Sequence, residues 1–98
     1  MTTNNNWIEA FLINGLQTMN DCSDTCGAIN HLLSMWYEGC STSDLFDECY
    51  GMLGAIKTIV QEDDLETEEL LGYLKMAKAY QFIAVTIKEV EGMQYQYN

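Results

Sequence analysis

Apolar residues in this chain recur every three or four positions, not every second, and no proline interrupts them in 98 residues. That period belongs to the α-helix, where side chains three and four apart share a face; a strand alternates at two. Glycine is the one strong breaker, at positions 15, 27, 39, 51, 54, 72 and 92, and β-branched residues are sparse before the last third. The pattern therefore predicts an all-α fold. At this length it gives a four-helix bundle-like single domain with a long C-terminal helix.

The apolar stripes place helices over about 7–20, 23–38, 43–61 and 65–91, followed by a polar tail over 92–98. The first opens at Asn6, an N-cap type, with Glu9 three residues on, and carries Ile8, Phe11, Leu12, Gly15, Leu16 and Met19. The second begins among Asp21–Asp24 and has the seam Cys26, Ile29, Leu33, Trp36 and Cys40, with Gly39 as its stop. The third follows Ser41, Thr42, Ser43 and Asp44 and buries Leu45, Cys49, Met52, Leu53, Ile56 and Val60. The fourth, capped at Asp64 or Thr67, carries the seam Tyr73, Met76, Tyr80, Ile83, Ile87 and Val90. It also carries a second stripe of Leu70, Leu71, Leu74, Phe82 and Val85. At ~1.5 Å per residue it runs to some 40 Å, longer than the other three. Its second stripe needs a cover, either from the first three helices or from another subunit.

Charge adds a second constraint. Fifteen carboxylates face four lysines and no arginine, for a formal net charge of −11. Residues 1–56 contain seven acids and no lysine; six more, Glu62, Asp63, Asp64, Glu66, Glu68 and Glu69, then crowd into eight positions. The lysines are Lys57, Lys75, Lys78 and Lys88. Such a field repels nucleic acid and anionic membrane and attracts basic surfaces. No stretch reaches the ~20 apolar residues that span a bilayer. The polar opening, Met1–Asn6, lacks a secretory pattern. A cytoplasmic, intracellular location with reduced thiols is the expectation.

Catalytic components are scarce. His31 is the one histidine, opposite the apolar seam of its helix, and no phosphate loop or calcium loop is present, so the expectation is a non-enzyme without cofactor. Cys22 and Cys26 have the spacing of a zinc-ligand pair, but Cys40 and Cys49 stand nine apart. Cys26, Cys40 and Cys49 lie in apolar stripes, where cysteine packs as a small hydrophobe. A four-thiolate zinc domain on Cys22, Cys26, Cys40 and Cys49 is the second alternative. Tyr37 and Tyr50 fall at stripe boundaries and could anchor an interface.

The leading expectation is a protein that docks its carboxylates onto a basic protein surface. Side chains at i and i+4 on a helix stand ~5–6 Å apart. That spacing compares with the phosphates of a duplex, so such a row competes for lysine and arginine grooves. The residues assigned to partner binding are Glu62, Asp63, Asp64, Glu66, Glu68 and Glu69, with Asp44, Asp47 and Glu48 as a second patch. In size, sign of charge and helicity the profile resembles the small acidic helical proteins with which phages and mobile elements block nucleases, the DNA mimics and anti-CRISPR proteins. That resemblance implies an inhibitor that occludes a nucleic-acid-binding protein or nuclease complex. The first alternative is a structural or assembly bundle, a homodimer or small chaperone, joined through Leu70, Leu74, Phe82 and Val85.

Overall fold

The stripes resolve into α1 (Asn6–Thr18), α2 (Ser23–Tyr37), α3 (Thr42–Glu62) and α4 (Thr67–Gln96) in a computed structural model that describes the backbone of residues 6–96 and the side chains of residues 7–92. The fold is all-α and bundle-like, with no strand among the described residues.

Each junction has an identifiable local cause. Gly39 ends α2 at φ 101°, the one positive φ in the described backbone. Its N–H donates to the Trp36 carbonyl at 3.0 Å, while the Cys40 N–H reaches the Met35 carbonyl at 3.1 Å. This pair of bonds is the Schellman stop that a left-handed glycine permits. Two residues later Ser41 caps α3: its hydroxyl accepts from the Asp44 N–H at 3.1 Å, and the Asp44 carboxylate accepts from the Ser41 N–H at 2.9 Å. That reciprocal capping box satisfies donors the first turn would otherwise leave open.

The cap of α4 differs from the expectation of Asp64 or Thr67. Glu66 holds the cap position, and the Glu69 carboxylate reaches back to its N–H at 3.2 Å. A glutamate three residues into the helix is long enough to do this, so neither expected capper is needed. Gly92 does not stop the helix. Its φ is not positive and α4 continues to Gln96, so the polar tail expected from residue 92 is helical through 96. The Asn6 cap expected for α1 falls outside the described side chains. Glu9, its expected partner, accepts a hydrogen bond from the Tyr37 hydroxyl at 2.7 Å.

Side-chain pairings give the helix directions. Gly15 of α1 faces Ile29 of α2, and Glu9 faces Tyr37, so α1 and α2 are antiparallel. Asp24 lies against Gly72, and the His31 ring meets Tyr80 edge-on at 6.5 Å, so α2 runs parallel to α4. The Thr42 hydroxyl donates to Glu91, which sets α3 antiparallel to α4. The resulting up-down-up-down bundle is elongated. Helices α2 and α4 pack side by side at its centre, α3 lies along α4, and α1 rests on α2. Extents of 51 × 25 × 22 Å follow from the 30 residues of α4.

The core takes Ile8 and Leu12 from α1, Leu45, Cys49 and Ile56 from α3, and Tyr80, Ile83, Ala84 and Ile87 from α4. Helix α2 contributes Ala28, Ile29, Leu32 and Leu33. The expected α2 seam contained Ile29 and Leu33 but neither Ala28 nor Leu32. A central helix touched on three sides buries a wider arc than one stripe.

Burial pushes the Cys49 thiol up to about 12, with Glu48 adding to it, and pushes the Tyr80 phenol to about 12. Unfolded, these groups ionise near pH 9 and 10. Above those values the unfolded chain sheds protons that the folded chain keeps, so stability falls as pH rises. The midpoint of urea unfolding is therefore expected to drop between pH 9 and 12. In Cys49→Ala the onset should move up by about a unit, toward the tyrosine's range. An onset unchanged in Cys49→Ala would mean that the thiol is not the buried proton donor described here.

Candidate binding surfaces: an acidic tip and an apolar groove

The α3–α4 connection projects past the start of α2. Asp24, in the first turn of α2, is level with Gly72, so the beginning of α4 and the end of α3 extend beyond it. Every one of Glu62, Asp63, Asp64, Glu66, Glu68 and Glu69 is exposed on this projection. Asp24 lies with its carboxylate 3.2 Å from where a Cβ on Gly72 would sit, at the same end of the bundle. Sequence spacing alone could not join a residue of α2 to a cluster some forty positions later.

Asp44, Asp47 and Glu48 do not extend this surface. They stand near the opposite end of α3, roughly 21–27 Å from Glu62 at 1.5 Å per residue. Two of the three carboxylates also have local partners. Asp44 closes the capping box, and Glu48 Oε2 lies 2.7 Å from His31 Nε2. Asp47 remains exposed without one. The two expected patches are separate surfaces.

The His31–Glu48 contact, ionic only when the histidine is protonated, is the one acid–base side-chain pair within salt-bridge distance among the described residues, so none of the four lysines is paired there. It is an exposed pair on the α2–α3 side of the bundle. The four cysteines are free thiols and do not come together. Cys22 occupies the N-cap position of α2 without a side-chain cap bond and lies 3.2 Å from the Thr25 hydroxyl, and Cys26 donates to the Met19 carbonyl at 3.1 Å. Cys40 stands beyond the far end of α2, and Cys49 is buried in α3. Among the described residues no group of three or more His, Cys, Asp or Glu side chains could hold a metal ion, so the four-thiolate site expected as an alternative is not assembled. The Cys22 thiol is held below its ordinary range, first by the Thr25 hydroxyl.

The second surface lies between α1 and α4. Helix α1 rests on α2 and stands off from α4, meeting it where the rings of Phe11 and Phe82 lie 5.7 Å apart. The gap is a groove of about 460 Å³ with Leu12, Ile29 and Ile83 in its lining and Lys75, Lys78 and Ala79 along the α4 wall. Phe82 is 63% exposed, and Leu74 and Val85 are 44% and 47% exposed, as an uncovered second stripe requires. Leu70 departs from the expected set. It is half-buried, and Leu71 takes the outward position at 50%. The helical period accounts for this: 71, 74, 78, 82 and 85 share one face, and 70 lies at its edge toward the core.

Tyr37 and Tyr50 are both exposed, as boundary positions should be. Tyr50 stacks edge-on to Phe46 at 4.9 Å, and the bond to Glu9 raises the Tyr37 phenol above its usual range. No helix among the described residues is long and apolar enough to cross a membrane. No protein family, curated protein or solved structure matches the chain.

Proposed function

We propose that this chain is a non-enzymatic binding protein that inserts the acidic tip of its α3–α4 hairpin into a basic cleft on another protein, and that it thereby occludes a nucleic-acid-binding site. The observation that carries this reading is the set of six exposed carboxylates on one projecting hairpin, with no lysine paired to any of them among the described residues. Unneutralised charge on a protruding element steers encounter with an opposite field.

The arrangement favours a plug over a long mimic of duplex DNA. Between Glu48 and Glu62 the α3 helix carries no acid, only Lys57, so no carboxylate row runs the length of the bundle. A knob of this kind fits a single cleft lined by lysine and arginine, the groove that would otherwise hold one stretch of phosphate backbone.

The exposed stripe Leu71, Leu74, Phe82 and Val85 favours a second reading, a homodimer through α4. Lys78 weighs against the symmetric form. It is the midpoint of the stripe, and a two-fold antiparallel pairing of α4 helices sets it beside its own copy.

The test is capture of a partner on the immobilised chain from the lysate of its source cells, then a mobility-shift assay of that partner on its nucleic acid. Added chain is expected to release the nucleic acid in proportion to its concentration. A captured partner that binds nucleic acid and keeps it bound at saturating chain would overturn the occlusion.

A further inference from the structure

We infer that the groove between α1 and α4 is a binding site for a single-chain anionic amphiphile, an unbranched alkyl chain ending in a carboxylate or a similar small anion. This site is independent of the acidic tip, and either could fail alone.

The groove is chemically asymmetric along its length. One end is narrowed by the Phe11–Phe82 ring pair, which bridges α1 to α4. Toward the other end, Thr18 and Thr25 join Lys75 in the lining. Between them Leu12 and Ile29 supply aliphatic surface, and Ile83 adds to it beside Phe82. Gly15 contributes by having no side chain: a Cβ there would stand 3.1 Å from Ile29 Cδ1 and crowd the floor. An alkyl chain lies against the aliphatic residues with its end at the phenylalanines, and its head group meets the lysines.

Charge makes the case specific. In a chain of net charge −11, two of only four lysines line this one groove, and neither is ion-paired among the described residues. Interactions between exposed charges fade beyond ~8 Å at physiological salt, so an anion inside the groove responds first to Lys75 and Lys78, with Asp24, held against Gly72 one turn from Lys75, as the carboxylate that opposes them. Size points the same way. A volume of about 460 Å³ falls within the roughly 300–1,000 Å³ of small-molecule sites. Lys75 and Phe82 are seven residues apart on α4, about 10 Å. A partner helix ~10–12 Å across, running along the groove, would collide with the phenylalanine bridge. A second copy would bring more carboxylates, but a symmetric pairing also opposes Lys78 to itself.

Titration calorimetry with decanoate, below its micelle-forming concentration, tests this on the full chain. One saturable site is expected. Affinity should rise about fourfold per added methylene from hexanoate to decanoate, following the transfer of each group from water, and should level off once the chain reaches the phenylalanine bridge. Lys75→Gln/Lys78→Gln, a double change of exposed residues, should weaken decanoate at least tenfold while leaving decanol binding unchanged. Ala79→Phe should fill the groove and abolish binding of both, with the far-ultraviolet spectrum intact. The inference is overturned by any of three results. They are no saturable binding at millimolar decanoate, equal binding of decanoate and decyltrimethylammonium, or a dimer in sedimentation that dissociates on Phe82→Glu and so puts a second copy over the groove.

Discussion

Tyr80→Ala is expected to lower stability by about 3–5 kcal/mol, the range for removing a large ring from a packed core. Tyr80 is 1% exposed and sits where all three of the directly packed helices meet: its ring faces His31 of α2, and it is close enough to Cys49 of α3 to feel that thiol's charge. Neither neighbour can close the gap, because α2 and α3 are themselves fixed by the core around Leu32 and Leu45. A loss of this size is a large share of the ~5–15 kcal/mol that holds a domain together. For a domain of this length it corresponds to a melting temperature lower by roughly 15 °C or more. Phe82→Ala provides the contrast. Two positions along the same helix, it is 63% exposed, and its change should cost about 1 kcal/mol or less. Thermal unfolding of the two variants side by side reads the difference. Equal losses would contradict the rotation of α4 on which both binding surfaces depend.

That rotation was legible in advance because α4 obeys a single period. Tyr80, Ile83 and Ile87 are buried, as their spacing required; Leu74, Phe82 and Val85 face outward, so the first three helices do not supply the cover expected of them. Local punctuation was legible where one residue decides it. Gly39 stops α2 and takes the positive φ; the run Ser41–Asp44 marked the start of α3, but its spacing alone did not single out the Ser41–Asp44 capping box. Gly92 was misread because glycine permits a stop without compelling one, and intact helical hydrogen bonds on both sides outweigh its penalty of ~1 kcal/mol against alanine. Burial of Ala28 and Leu32 was not legible, since it depends on α2 lying between neighbours and no stripe records that. The six tip acids fall within eight positions and are legible as a cluster, whereas Asp24 joins their end only through the α2–α4 packing. The local contacts of the second patch were not legible either, since charge counting cannot see that Asp44 meets Ser41 and Glu48 meets His31. Nothing in the spacing of Lys75 and Lys78 marks them out; they come to lie beside an apolar groove only because α1 stands away from α4.

The tip is the part of the account with the largest expected effect on binding. Reversing Glu62, Asp64 and Glu68 to lysine removes three attractions and replaces them with repulsions against a basic cleft. Exposed pairs are worth ~0.2–1 kcal/mol each and close interfacial pairs ~1.5–7 kcal/mol, so three reversals together should weaken binding at least about 100-fold. Most of the change at the rim should appear as slower association. None of the three contributes to the core, and the one side chain in the cluster with a capping bond, Glu69, is left in place. The variant should therefore unfold at the same temperature as the parent chain, or slightly above it, because removing crowded like charges relieves repulsion.

The decisive measurement is the affinity of the chain for its captured partner from about 0.1 to 1 M salt, a range over which the Debye length falls from ~10 to ~3 Å. If the acidic tip does the docking, the logarithm of the affinity falls steeply with the logarithm of salt for the parent chain. The Glu62→Lys/Asp64→Lys/Glu68→Lys chain binds weakly throughout, with a much flatter slope. An affinity that stays level across that range, or a reversed tip that binds as tightly as the original, would contradict it.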